Sequence, residues 1–325
     1  MPQVWPEEWA VAHEDLLASA EMYASRHGRV VRVRTFGGWD VELLPDRCLD
    51  IGFALHDGTP ISWVSPVRDR RPLDRPRDFD WLARFHGGLV TTCGLRGFGA
   101  PAADRGQHGD ASHLPAGEVA ISRTVTADLA EIAVSAVVED ARVFGPSLRL
   151  TRTVIVRSTR AGAAALELVD VVENRGPGVA EVGVLYHVNL GAPLVVPGAR
   201  ILVDDDALDQ RATTPIDAGV FPAPEDAFQE YVVERSGFAG DAGSVSVHGE
   251  VGELRLTWSA DTLPHLVQWM YPARGRWALG IEPATSSLLD ADAELVALGP
   301  GETRRQELRI SMSSPEGEST CRAIP

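Results

Sequence analysis

The sequence predicts an all-β fold, one large antiparallel β-sandwich preceded by an N-terminal helix, and three observations lead there. Short runs of alternating apolar and polar residues recur from residue 29 almost to the C-terminus. Gly, Pro, Asp and Asn break them at close intervals, and no helical pattern of convincing length separates them, as a parallel α/β fold would require.

The elements follow in chain order. Residues 6–27 are expected to be helical: Pro6 suits a first turn, Glu7 and Glu8 suit its positive end, and Gly28 can close it. Trp9, Leu16, Ala20 and Tyr23 would then share the packing face. Strands are predicted over Arg29–Thr35, Asp40–Leu44, Ser147–Arg157, Ala165–Glu173, Glu181–Leu190, Ser244–Val247, Glu253–Ser259 and Gln306–Ser313. Leu148 with Leu150, and Leu166 with Leu168, show the period of two that marks a half-buried strand. His248–Gly252 reads as a hairpin connection. Residues 66–80 and 204–230 read as polar, proline-broken loops, not linkers, since strands of one style continue on both sides. The expected division is a helical extension over 1–28 and a single sandwich domain over 29–325.

Composition narrows the function. The formal net charge is −16, which argues against nucleic acid or an anionic membrane as partner and favours a neutral or small polar ligand. All 30 basic residues are arginine. A chain without lysine forms no Schiff base and supplies no P-loop lysine. Cys48, Cys93 and Cys321 are scattered and odd in number, which supports neither a disulfide framework nor a zinc ribbon. No signal peptide or spanning stretch is visible, so a cytoplasmic location is the expectation.

Four segments could carry chemistry. In Phe85–Gly94 and its continuation to Gly99, glycine density permits close approach of a ligand, but the spacing is GxxGxG, a weak nucleotide signal. Asp104–Ala116 holds His108 and His113 on a polar loop that either reaches a pocket or lies on the surface. In Leu185–Pro193, His187 and Asn189 share one strand face, so the pair is either satisfied in the core or opens onto a cavity. Glu282 closes the apolar run Trp277–Ile281; shielded at a strand end, its carboxylate could act as a base, or it could cap a loop. Gln268 and Trp269 offer a hydrogen bond and a stacking face for a sugar, or serve as edge residues.

Together the stretches LPDRCLDIG (44–52), GGLVTTCGL (87–95), HGDASHLPA (108–116), LYHVNLGAPL (185–194) and LVQWMYPARGRWALGIEPA (266–284) resemble the aldose 1-epimerase superfamily, closest to its less characterised aldose 1-epimerase-like branch. The resemblance implies a galactose mutarotase-like supersandwich that isomerises a small-molecule sugar with no cofactor and no metal; a homodimer is compatible with it. It implies Glu282 as base, His187 as acid and His108 as the early site histidine, with His86 as competitor for that place. Arg47, Asp50, His86, Asn189, Gln268 and Trp269 would bind substrate, Arg47 equally serving as a structural partner of Asp50. His187 departs from the family pattern, standing two residues before Asn189 instead of four, and Asp110 stands where this branch usually shows arginine.

Two rival functions remain in view. His86, Asp104, His108, Asp110, His113 and Glu118 could hold a divalent metal for isomerase or lyase chemistry on a keto-sugar, although their spacing matches no standard motif. A non-catalytic sugar-binding module would use the same cleft without turnover. No GxSxG elbow supports a serine hydrolase.

Overall fold

The computed structural model describes residues 5–204, 209–226 and 230–313. Cys321 therefore lies outside the described residues. Among those described, two large antiparallel sheets, of twelve and eight strands, face each other. The longest strands show why: along Leu129–Ala141 and Ser147–Thr159 every second side chain is buried, so each strand gives one face to the sandwich interior. The eight predicted strands are all present, most of them one or two residues longer, and Gly249 pairs with Gly252 across the expected hairpin.

The N-terminal expectation is overturned. Only Trp9–Ala12 and Glu14–Leu17 are helical; Ala18–Ser25 is a strand paired with Gly28–Thr35. Gly28 has φ +121°, which closes a two-residue hairpin instead of capping a helix. Backbone pairing at the sheet edge outweighs the helix propensity of ASAEMYAS. The packing face differs accordingly: Leu17 and Trp5 are buried and Leu16 is exposed. The described part of this stretch, residues 5–28, is thus no helical extension, since its second half adds a strand to the twelve-stranded sheet. The 204–230 stretch also contains a short strand, Asp209–Ala212.

The site depends on four adjacent strands of the larger sheet, in the order Val90–Leu95, Ala180–Leu190, Ala278–Ala284 and His265–Tyr271. Alternation divides their side chains. Val184, Tyr186, Val188, Leu279 and Ile281 enter the main core between the sheets, whereas Leu185, Ala278 and Ala284 join a smaller cluster with Trp63, Trp81 and Phe85. The register pairs Leu185 with Ala284 and Val188 with Ile281. His187 therefore stands opposite Glu282, on the face away from the main core.

A buried ion network bolts the sheets together. Arg152, from the smaller sheet, donates to both carboxylate oxygens of Asp170 (2.9 and 2.7 Å), to Asp50 (2.8 Å) and to Thr92 Oγ1 (2.7 Å). Tyr186 donates its hydroxyl to Asp170 at 2.7 Å. Asp50, Thr92 and Tyr186 belong to the larger sheet, so the network crosses the sandwich. The turn before Asp50 serves it too: Cys48 and Leu49 are left-handed (φ 58° and 54°), and the Cys48 carbonyl accepts from Arg152 at 3.0 Å. Removing one partner from a buried pair leaves an uncompensated charge. Arg152→Ala is expected to lose ~3–5 kcal/mol of stability, read from the urea midpoint; a loss below ~1 kcal/mol, the scale of an exposed ion pair, would show that the sheets do not lean on this network.

Candidate functional site

Facing pairs on adjacent strands bring their side chains close. His187 Nε2 lies 3.2 Å from Glu282 Oε1. The approach is not aligned as a hydrogen bond, and Glu282 Oε1 and His187 Nδ1 have no hydrogen-bond partner among the described residues. Both side chains are buried. Gly280, two residues before Glu282 on the same face, makes this geometry possible: a Cβ there would come within 2.3 Å of Glu282 Oε1 and 3.1 Å of His187 Cε1.

The pair forms one side of a cavity of about 310 Å³, within the range of small-ligand pockets. Aromatic rings make up much of the wall. Trp81 lies 4.5 Å from His108, 4.2 Å from Phe85 and 6.3 Å from His187, centroid to centroid. Trp269 lies 5.4 Å from His187, and its indole N–H donates to Glu230 at 2.8 Å. His108 has φ 57°, held by its amide donating to the Gly99 carbonyl and by the Gly94 amide donating to its own carbonyl, each at 2.8 Å. This left-handed conformation is uncommon outside glycine and concentrates at functional sites. Trp81 Nε1, Gln107 Oε1 and His108 Nδ1 are further buried polar atoms of the wall without hydrogen-bond partners among the described residues. Apolar rings with a few convergent, unsatisfied polar atoms are what a small polar ligand with ring faces requires.

Burial sets the electrostatics. It raises the Glu282 carboxyl well above the usual carboxylate range, with Glu230 adding to the effect. It lowers the His187 imidazole well below its ordinary value, helped by His108, and pushes His108 down to about 4, with a smaller contribution from Arg105. Each member of the pair thus favours its neutral form: a protonated carboxyl and a free imidazole.

Of the residues singled out from sequence, the structure brings together Glu282, His187, His108 and Trp269 in this cavity. The others lie elsewhere. Asp50 is wholly engaged by Arg152 and Thr92 in the core. Arg47 is buried outside the cavity, its Nη1 donating to the Arg70 carbonyl at 3.2 Å, and no ion pair joins it to Asp50. Gln268 points to the opposite side of its strand from Trp269, donating to the Ala218 carbonyl at 2.8 Å and accepting from Arg235 at 2.9 Å. Asn189 shares the face of His187, but its amide nitrogen donates to the His187 carbonyl at 2.8 Å. His86 lines a different cleft. The proposed metal ligands are dispersed: Asp104 and Asp110 pair with Arg96, Glu118 is exposed, and no three His, Cys, Asp or Glu residues among those described gather as a metal site.

Sequence reasoning missed Trp81, Phe85, Gln107, Glu230 and Gly280. The first four come from loops whose path no periodicity reveals. Gly280 had a readable signal, since a glycine two positions from a strand carboxylate lies on its face.

A sequence model of the domain family described as Domain of unknown function (DUF4432) matches residues 25–312. A comparison with curated proteins found no match. Among solved structures, the chain is similar to a candidate aldose 1-epimerase from Klebsiella pneumoniae subsp. pneumoniae MGH 78578, with a TM-score of 0.80 and 20% identity over 91% of this chain and 83% of that one. It is also similar to a galactose mutarotase-like protein from Clostridium acetobutylicum (TM-score 0.59, 14% identity, 93% of this chain and 100% of that one). A third likeness is to galactose 1-epimerase from Lactobacillus acidophilus NCFM (TM-score 0.56, 11% identity, 92% and 99%). At these identities the likeness is one of fold, and the fold is the galactose mutarotase-like sandwich that the sequence resemblance implied.

The depressed histidines give a pH test. A group whose folded pKa lies below its unfolded value contributes stability that is present above the unfolded value of 6.5 and is lost as pH falls through the folded one, about 4 for His108. The full shift corresponds to ~3 kcal/mol; the ring keeps some surface open to the cavity, which lowers the expectation to ~2 kcal/mol. His108→Asn, which tolerates the left-handed backbone, should flatten the urea-midpoint profile over this interval by that amount. A profile unchanged from wild type would show that His108 titrates normally.

Proposed function

The chain belongs to the DUF4432 domain family, and on that premise we propose that it interconverts the anomers of a small-molecule sugar by proton exchange with Glu282 and His187. The observation that carries the reading is the 3.2 Å approach of these two side chains inside an aromatic-walled cavity of about 310 Å³.

Anomer exchange needs only proton transfers and positioning. A proton leaves the anomeric hydroxyl, the bond from C1 to the ring oxygen breaks, and the ring oxygen takes up a proton. The open-chain aldehyde turns about C1–C2 and closes with the other face exposed. The sequence resemblance implies the carboxylate as base and the imidazole as acid. Burial supports the opposite starting state, with the proton on Glu282 and His187 neutral. His187 Nε2 then accepts the proton of the anomeric hydroxyl while Glu282 delivers its own to the ring oxygen. On closure His187 returns a proton to O1, and Glu282 recovers one from the ring-oxygen hydroxyl. Each group acts once as acid and once as base, the pair ends with the single proton it began with, and no external acid or base enters the balance. A carboxyl pKa raised toward the working pH also lowers the cost of each transfer. His108, in the wall beside Trp81, is placed in this reading as a donor to a sugar oxygen, and Trp81, Phe85 and Trp269 as surfaces for the sugar's apolar faces.

The test is anomer exchange followed by NMR across a panel of aldoses. Glu282→Gln should keep the fold and lose at least ~100-fold in exchange rate. Saturable sugar binding by the wild type with no acceleration of exchange would replace this reading with that of a binding module.

Gly280→Ala provides a second test that leaves both proton carriers in the chain. The added methyl displaces the far end of the Glu282 side chain and asks His187 and Trp269, each 3.1 Å away, to give by a few tenths of an ångström, and misplacement of the reacting oxygen on this scale costs ~100-fold. Its thermal midpoint should stay close to wild type while exchange falls. Full activity in this variant would separate the Glu282 position from catalysis.

A further inference from the structure

A second and larger cleft, of about 850 Å³, shares no lining residue with the Glu282 cavity. Trp63 stands between them: it lines the larger cleft, and its ring lies 5.6 Å from Phe85 and 5.8 Å from Trp269. In a chain of formal net charge −16, this cleft is lined by Arg26, Arg68, Arg70 and Arg276, with Glu42 the single acid. Glu42 is itself paired with Arg70 at 2.8 Å. Arg26, Arg68 and Arg276 make no ion pair among the described residues, so three positive charges face the cleft unopposed.

At the inner end lies His86, 7% exposed, with neither ring nitrogen in an aligned hydrogen bond among the described residues. Arg47, which does not line the cleft, is 2% exposed, and its Nε and Nη2 have no hydrogen-bond partner among the described residues; Asp50, three residues on, is held by Arg152. The Arg47 charge is felt at His86, lowering its pKa further after burial has done so. Burial pushes Arg47 itself down to about 10, with the nearby Asp50 charge opposing the shift. Unsatisfied buried donors behind a positively charged mouth are the signature of a site that expects an anion.

We infer that this cleft binds a phosphate group carried on a small ligand, with Arg26, Arg68 and Arg276 at the mouth and His86 at the inner end. A carboxylate has two oxygens, and one guanidinium fork satisfies both. Donors from three separate arginines and an imidazole suit the larger charge and additional oxygens of a phosphate monoester. The inference stands on this cleft alone and is independent of turnover at Glu282.

The test is titration calorimetry of the full chain at neutral pH with inorganic phosphate, glucose 6-phosphate, glucuronate and glucose. Inorganic phosphate and glucose 6-phosphate should compete for one site, glucuronate should bind at least ~10-fold more weakly, and high salt should weaken the phosphate isotherm. The double variant Arg68→Glu/Arg276→Glu alters exposed side chains and should keep the near-ultraviolet circular dichroism of the wild type. It should lose at least ~10-fold in phosphate affinity, and His86→Ala a comparable factor. Absence of saturable phosphate binding, lack of competition, glucuronate binding as tightly as phosphate, or an isotherm untouched by the double reversal would each overturn the assignment.

Discussion

One strand carries two instructions that cannot be separated. On Ala180–Leu190, Tyr186 faces inward and donates to Asp170, which Arg152 holds from the opposite sheet. Successive side chains on a strand point to opposite faces, so anchoring Tyr186 inward forces His187 outward. The pairing of Val188 with Ile281 passes the same parity to the next strand and turns Glu282 to the same face. A slip of one residue would bury the imidazole in the core and expose the phenol. The ion network is therefore more than an attachment between sheets: it fixes the register on which the approach of His187 to Glu282 depends. Buried ionic groups are often poor contributors to net stability, and specifying register is among their best-attested uses.

This explains which parts of the molecule were legible in the sequence. Strands with strict alternation, such as Ser147–Thr159 and Ala164–Asn174, announce themselves, because half their residues must be apolar to fill the core. The even spacing of His187 and Asn189 correctly places both on one face, and the apolar run before Glu282 correctly signals a shielded carboxylate. Where several physical requirements compete, the pattern misleads. ASAEMYAS has good helix formers, yet it gains more as the partner of Gly28–Thr35. The resemblance carried by LPDRCLDIG implies an arginine and an aspartate in contact with ligand, but the partners of that aspartate lie at Thr92 and Arg152, far along the chain. Gln268 and Trp269, adjacent in sequence, both suit ligand contact by residue type, although adjacency in a strand sends one of them to each face.

The cavity wall was the least readable part. Trp81 follows the charged, proline-broken stretch 66–80 and Phe85 opens the glycine-rich segment singled out above, and neither stretch has a period from which a side chain's direction can be taken. Their role appears once the chain has crossed the sheet and placed their rings against His108 and His187.

The contrast between the two sides of the cavity has a structural consequence. Glu282 and His187 sit on central strands whose register the core enforces, whereas Trp81, Phe85 and His108 arrive from connecting segments that the core constrains far less. Substitutions in those segments can reshape the cavity wall without disturbing the approach of His187 to Glu282. The scaffold thus separates the strand-borne pair, which the core holds in place, from the cavity wall, which connecting segments are free to reshape.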